Sequence, residues 1–187
     1  DDGIHADGVL TISDGIIDIT KSYEGLEGLQ VIINNGDISI VSSDDGINST
    51  ATSGQGIVIG GGNLYILAGG DGLDSNSRTA YSGIVFKGGK TVVISTSGGN
   101  SAIDTEAGYT YTSGSVLAIM PNGGMTSEAT HCSNFSSVAK KISMSLSSGK
   151  TLTVSVSNSA ILSVKIPCNL SAIVIYLGST SANISLN

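Results

Sequence analysis

The chain has 187 residues, 26 of them glycine and 2 proline, and 12% carry charge, about half the share usual in soluble domains. Net charge is −7 and the sequence pI is near 4.5, with no Lys or Arg cluster to follow a phosphate backbone, so nucleic acid is not an expected partner. No apolar run reaches the ~18 to 20 residues that a bilayer span needs, so this segment is not expected to insert into a membrane.

Such a chain is long enough to bury a core without disulfide staples, which points to one continuous domain over 1–187. In chain order, an acidic turn, Asp2-Gly3-Ile4, precedes the alternating strand Val9-Leu10-Thr11-Ile12. A corner glycine then opens a second strand, Gly15-Ile16-Ile17-Asp18-Ile19. The same order recurs: Glu24-Gly25-Leu26, Val31-Ile32-Ile33 and Gly36-Asp37-Ile38-Ser39-Ile40, then Asp45-Gly46-Ile47 and Gly62-Asn63-Leu64-Tyr65-Ile66, then Asp71-Gly72-Leu73. Ala102-Ile103-Asp104 is a degenerate copy. The turn glycines at 3, 25, 46 and 72 are 21 to 26 residues apart, a solenoid period rather than a heptad.

Strands of period 2 point one set of side chains inward, and coils too short to bury their apolar residues alone become stable by stacking. The predicted fold is all-β, a parallel β-helix with regular coils over 1–125 and C-terminal coils or a cap over 126–187. Its interior ladders are Ile4, Leu26, Ile47 and Leu73 in one column and Ile12, Ile33, Ile59 and Phe86 in another, with corner glycines supplying φ > 0. Thr130 to Ser137 reads as a polar connection. Ile142, Met144 and Leu146 alternate with serines, the turn Ser148-Gly149-Lys150 follows, and Leu152, Val154 and Val156 alternate again, predicting a capping hairpin or late coils with one wet face. Because residue 1 already sits in a repeat turn, further coils are expected upstream. Cys132 and Cys168 fit no zinc spacing and could form one disulfide in an oxidising compartment, worth roughly 3 to 4 kcal/mol by chain entropy.

Asp1, Asp2, Asp7, Glu24, Glu27, Asp44, Asp45, Asp71, Asp74 and Asp104 lie in or beside the acidic turns, and stacking brings them into columns. Two carboxylates about 5 Å apart repel by ~0.8 kcal/mol in water and ~3 kcal/mol at an effective dielectric of 20. Hard divalent cations would offset that repulsion. Calcium suits the oxygen donors of Asp2, Glu24, Glu27, Asp44, Asp45, Asn48, Asp71, Asp74 and Asn76, since it tolerates six to eight ligands in irregular geometry. The competing reading has the same acids capping β-turns and facing water. Gly69-Gly70-Asp71-Gly72-Leu73-Asp74 matches the calcium-binding nonapeptide of RTX β-rolls, but a single copy supports the ion and not that fold.

At Asp1-Asp2-Gly3-Ile4-His5-Ala6-Asp7-Gly8, Ser22-Tyr23-Glu24-Gly25-Leu26-Glu27-Gly28, Asp44-Asp45-Gly46-Ile47-Asn48 and Gly70-Asp71-Gly72-Leu73-Asp74-Ser75-Asn76, the chain resembles the carbohydrate-binding domain family of secreted clostridial and related proteins. The motifs follow the family's order over roughly residues 1 to 125. The resemblance implies a right-handed parallel β-helix similar to pectate lyases, bound calcium at Asp2, Glu24, Glu27, Asp45, Asp71 and Asp74, and binding of plant cell-wall polysaccharides such as polygalacturonate and cellulose. A secreted or cell-surface location is expected accordingly.

The expected function is calcium-dependent, non-catalytic polysaccharide binding, in which bound metal lets a chain of charge −7 hold a polyuronate. Among the tyrosines, Tyr23 beside the acidic turn is the candidate sugar platform, with Lys21 and Arg78 as candidate ligand-binding cations. The alternative enzyme reading is a pectate lyase, in which calcium acidifies the proton beside a uronate carboxylate and Arg78 serves over the groove; a surface salt bridge is the plainer role for Arg78. A third reading is a calcium-stiffened adhesin or spacer. His5 reads as a turn residue able to orient a neighbouring carboxylate, and no Gly-x-Ser-x-Gly or His-Glu-x-x-His motif is present.

Overall fold

The computed structural model describes residues 1–187. The alternating segments form β1 (Ile4–Ile12) and β2 (Ile16–Ser22) on the first level, and β3 (Leu26–Ile33) and β4 (Asp37–Ser42) on the second. From the third level on, a loop splits the first strand of each coil. This gives β5 (Ile47–Ser49), β6 (Ile57–Ile59) and β7 (Asn63–Ala68), then β8 (Leu73–Ser75), β9 (Ile84–Phe86) and β10 (Lys90–Ser95), then β11 (Ile103–Thr105), β12 (Tyr109–Tyr111) and β13 (Ser115–Pro121).

Successive levels pair in parallel. The front half of β3 continues through β5, β8 and β11, its back half through β6, β9 and β12, and a second sheet stacks β2, β4, β7, β10 and β13. The chain is a parallel β-helix of about four turns.

Both expected ladders are in register. Ile4, Leu26, Ile47, Leu73 and Ile103 form one column, and Ile12, Ile33, Ile59 and Phe86 the other, which Tyr111 extends. Only Ile4 keeps partial exposure, because the first level has a neighbour on one side. Tyr109 packs edge-on against Phe86 with centroids 5.9 Å apart, and its hydroxyl donates to Ala129 O at 2.7 Å, so Tyr109 and Tyr111 are core residues rather than sugar platforms.

The glycines divide into two kinds. Gly15, Gly36, Gly62, Gly89 and Gly114 stack at one corner with φ between +76° and +124°, as expected. The acidic-turn glycines Gly3, Gly25, Gly46 and Gly72 have no positive φ; they are required by close approach. A Cβ on Gly46 would overlap Gly72 O and Ile66 Cγ2, so each turn nests directly against the next coil.

After β13 the pattern changes. The helical turns α1 (Thr126–Ala129) and α2 (Phe135–Val138) precede β14 (Ala139–Leu146), β15 (Thr151–Val156), β16 (Ser159–Lys165), β17 (Leu170–Leu177) and β18 (Asn183–Leu186). β17 runs antiparallel between β13 and β14, which ends the second sheet, while β15 lies between β16 and β18 in a separate antiparallel sheet. The expected hairpin of β14 with β15 is therefore corrected, although β14 does keep its wet serine face. Ile142 and Met144 of β14 and Leu152 and Val154 of β15 share a second apolar core with Val92, Ile94, Leu117 and Ile119. Alternation identifies the buried face but not the neighbouring strand.

The possible disulfide is also corrected: both cysteines are free thiols. Cys132 is buried and bridges to Tyr109, whereas Cys168 lies near Tyr65 on the second sheet. No helix is long and apolar enough to cross a membrane.

Candidate functional site

Each acidic turn has the form X-Gly-aliphatic-X. The aliphatic side chain enters the core, and the two flanking residues are left at one edge of the coil. Parallel stacking then builds two columns at that edge. Asp2, Glu24, Asp45, Asp71 and Ser101 succeed one another in the first, because the N–H of the glycine after each acid donates to the carbonyl of the next member: Gly3 to Glu24, Gly25 to Asp45, Gly46 to Asp71 and Gly72 to Ser101. His5, Glu27, Asn48, Asp74 and Asp104 are directly in register in the second. Coil spacing sets neighbouring members about 4.8 Å apart.

Part of the first column serves the backbone, as turn-capping acids do. Asp45 Oδ1 accepts the Asp71 N–H at 2.8 Å and Asp71 Oδ1 accepts the Ser101 N–H at 2.5 Å. Each carboxylate retains a second oxygen. Asn48 links the columns by donating Nδ2 to both Glu24 carboxylate oxygens at 3.2 Å, while its own Oδ1 is buried without a partner. At Gly70 a Cβ would meet Asp44 Oδ1 and Asp45 Oδ1, each at 2.6 Å, so the two carboxylates converge over space that glycine leaves open.

The only ion pairs in the chain are those of His5, with Asp2, Asp7 and Glu27. No Lys or Arg neutralises the ladder, and its electrostatics show the cost. Burial, opposed by the Ser101 hydrogen bond and reinforced by Asp104, Asp45 and Asp44, pushes Asp71 up to about 7. Burial, then Asp45, Asp104 and Asp71, does the same to Asp74. Glu24 and Asp45 are raised for the same leading reason. His5 is raised by its hydrogen bonds to Asp7 and Glu27; its ring holds the outer end of the ladder, where Asp2, His5 and Glu27 place ligand atoms within 4.8 Å of one another.

Two acids extend the site beyond the expected set. Asp104 completes the second column, and Glu128 reaches it from α1. Burial, and then a hydrogen bond to Asp104, push Glu128 up to about 8, and Glu128 Oε2 is buried without a partner. Asp104, Glu106, Ser127, Glu128 and His131 line a cleft of about 420 Å³ at this end. Asp104 was visible as a degenerate turn, but nothing around Glu128 repeats, so no periodic signal marks it.

The structure gathers Asp2, Glu24, Glu27, Asp44, Asp45, Asn48, Asp71 and Asp74 along one edge. Tyr23 is 54% exposed, its hydroxyl pKa raised first by a hydrogen bond to Asp44, and it shares a shallow groove with Asp1, Lys21 and Ser43. Asn76 and Arg78 are not part of the ladder. Both are exposed on the loop between β8 and β9, and Arg78 makes no ion pair, which corrects the surface salt bridge; its backbone N–H pairs with Thr52 O of the loop one level below.

Comparison of the chain with protein-family models, with curated proteins and with solved structures returned no match.

Proposed function

We propose that this chain is a non-catalytic binding module whose acidic ladder takes up divalent cations, calcium foremost, and through them an anionic polysaccharide of the plant cell wall, outside the cell or at its surface. The observation that carries this reading is a double column of carboxylates with no Lys or Arg partner. Such a column is stable only with protons or cations between its members.

The donor set fits a hard cation. Apart from the His5 ring and the Ser101 hydroxyl, which donates to Ile103 O, the ladder side chains offer carboxylate or amide oxygens, Asn48 Oδ1 is buried and unclaimed, and Gly70 leaves open the space where Asp44 and Asp45 converge. Glu24, Glu27, Asp45, Asn48, Asp71 and Asp74 would hold the ions, with Asp2 at one end, Asp44 alongside, and Asp104 and Glu128 at the other end. Bound calcium would supply the positive charge that lets the edge accept uronate carboxylates. The row of coils offers a repeating line of such sites along the solenoid axis. The turn motifs' resemblance to secreted carbohydrate-binding domains supports the same reading.

Calorimetric titration of soluble polygalacturonate into the calcium-loaded chain, repeated in chelator, tests it. A saturable isotherm that chelator abolishes is expected. Heat that continues in proportion to protein, with unsaturated product absorbing in the ultraviolet, would replace the reading with a lyase. No heat in either condition would leave a calcium-stiffened scaffold.

A further inference from the structure

One position of the ladder departs from its chemistry. The second column runs His5, Glu27, Asn48, Asp74 and Asp104 in register, so its first level presents an imidazole nitrogen where the other levels present a carboxylate or an amide. Donor type decides which metal a site prefers. Oxygens alone suit calcium, whereas an imidazole among carboxylates suits zinc and its first-row neighbours.

The His5 ring is held from both sides. Its Nδ1 lies 2.5 Å from Glu27 Oε2 of the next coil and 3.7 Å from Asp2 Oδ2 of its own turn, and the three residues keep contact with solvent, so an ion can reach them. A tetrahedral zinc with bonds of about 2.0 to 2.1 Å spaces its donors about 3.3 Å apart, between the two distances observed. On the far side of the ring, Nε2 is 3.2 Å from Asp7 Oδ1. With its Nε2–H given to Asp7, the neutral ring turns the Nδ1 lone pair towards two carboxylates, and such donors converge only around a shared cation. A proton bridges Nδ1 and Glu27 alone, whereas a metal ion engages Asp2 as well. A carboxylate behind the ring is also the partner that orients metal-bound imidazoles.

We propose that Asp2, His5 and Glu27 form a zinc site, with Asp7 as the positioning residue that holds the ring. The inference rests on the reading of this edge as a cation ladder and gives its outer end a different metal. Three protein donors leave the fourth tetrahedral position to water or to a carboxylate from outside the chain. Because Asp2 and His5 belong to the first coil and Glu27 to the second, the ion ties the two coils together.

The test titrates zinc by calorimetry into the chain held in a large excess of calcium, and repeats the titration with cobalt, whose visible spectrum reports four-coordination. One zinc per chain is expected to bind without displacement by calcium. In proton–nitrogen NMR spectra, zinc should shift His5 Nδ1 and leave His131 unchanged. His5→Gln should keep the parent's circular dichroism while lowering zinc affinity at least tenfold. Asp7→Asn should weaken zinc about tenfold, and Asp7→Glu should restore it. No zinc binding in excess calcium, a zinc shift on His131 instead of His5, or undiminished binding by His5→Gln overturns the site; undiminished binding by Asp7→Asn overturns the positioning role. Zinc bound at His5 by a chain that takes up no calcium would overturn the calcium ladder and leave the zinc site standing.

Discussion

Replacing Asp74 with Asn tests whether the acidic ladder is uncompensated. Asp74 stands between Asn48 and Asp104 in the second column, mostly buried and raised from 3.8 to about 7. At 1.36 kcal/mol per pKa unit, that rise sets a ceiling of roughly 4 kcal/mol on the penalty for ionising it in the folded chain. Its residual exposure and solvent screening reduce this to about 2 kcal/mol. The folded pKa lies above the unfolded one, so this contribution to stability is fully present below about pH 4 and is lost as pH rises through about 7. Asparagine keeps the shape and removes the charge. In chelator at pH 8 the variant is expected to melt roughly 4 to 8 °C above the parent, and the difference should vanish towards pH 4. In calcium the order changes, because the parent gains from the ion and the variant lacks a ligand. Thermal melts followed by circular dichroism at several pH values, with and without calcium, measure all of this. A variant less stable than the parent in chelator at pH 8 would show that the Asp74 charge is structurally paired, and the reasoning would fail.

Thr91 is 1% exposed with its hydroxyl unpartnered, in an interior column with Ile38, Leu64 and Val116; Thr91→Val should therefore gain about 1 to 2 kcal/mol in urea unfolding, and a loss would mean the hydroxyl is satisfied. Gly46→Ala should cost about 3 kcal/mol in the same assay, because backbone oxygen cannot yield as a side chain does. Gly98→Ala, which meets nothing within 4 Å, should stay within about 0.5 kcal/mol of the parent; equal effects would refute the nesting of the turns. The His5 ring should titrate above 6.5 by NMR, as its Asp7 and Glu27 hydrogen bonds require, and calcium should lower that midpoint if Asp2 and Glu27 take up the ion.

The neighbours one coil away were legible in the residues themselves. Ile4, Leu26, Ile47 and Leu73 recur at one phase of a 21 to 26 residue period, and parallel stacking converts equal phase into contact. The same rule carried the acids of the turns onto one edge and Asp104 with them. The elements that appear only once were decided by packing. Glu128 joins Asp104 because a four-residue helical turn happens to close the last coil. β14 lies beside β17 rather than β15 although all three strands reach the same apolar core, so local alternation marked the buried faces without choosing which strand each would pair with. Arg78 and Asn76 follow an acidic turn closely, yet the loop after β8 carries them away from it. The glycines make the distinction most clearly: their positions were evident from the repeat, but only the stacked coils show that one set supplies φ > 0 and the other admits the backbone of the next turn. Repetition encodes neighbours at fixed distance along the chain, whereas caps, loops and unrepeated side chains acquire theirs only when the coils close around one another.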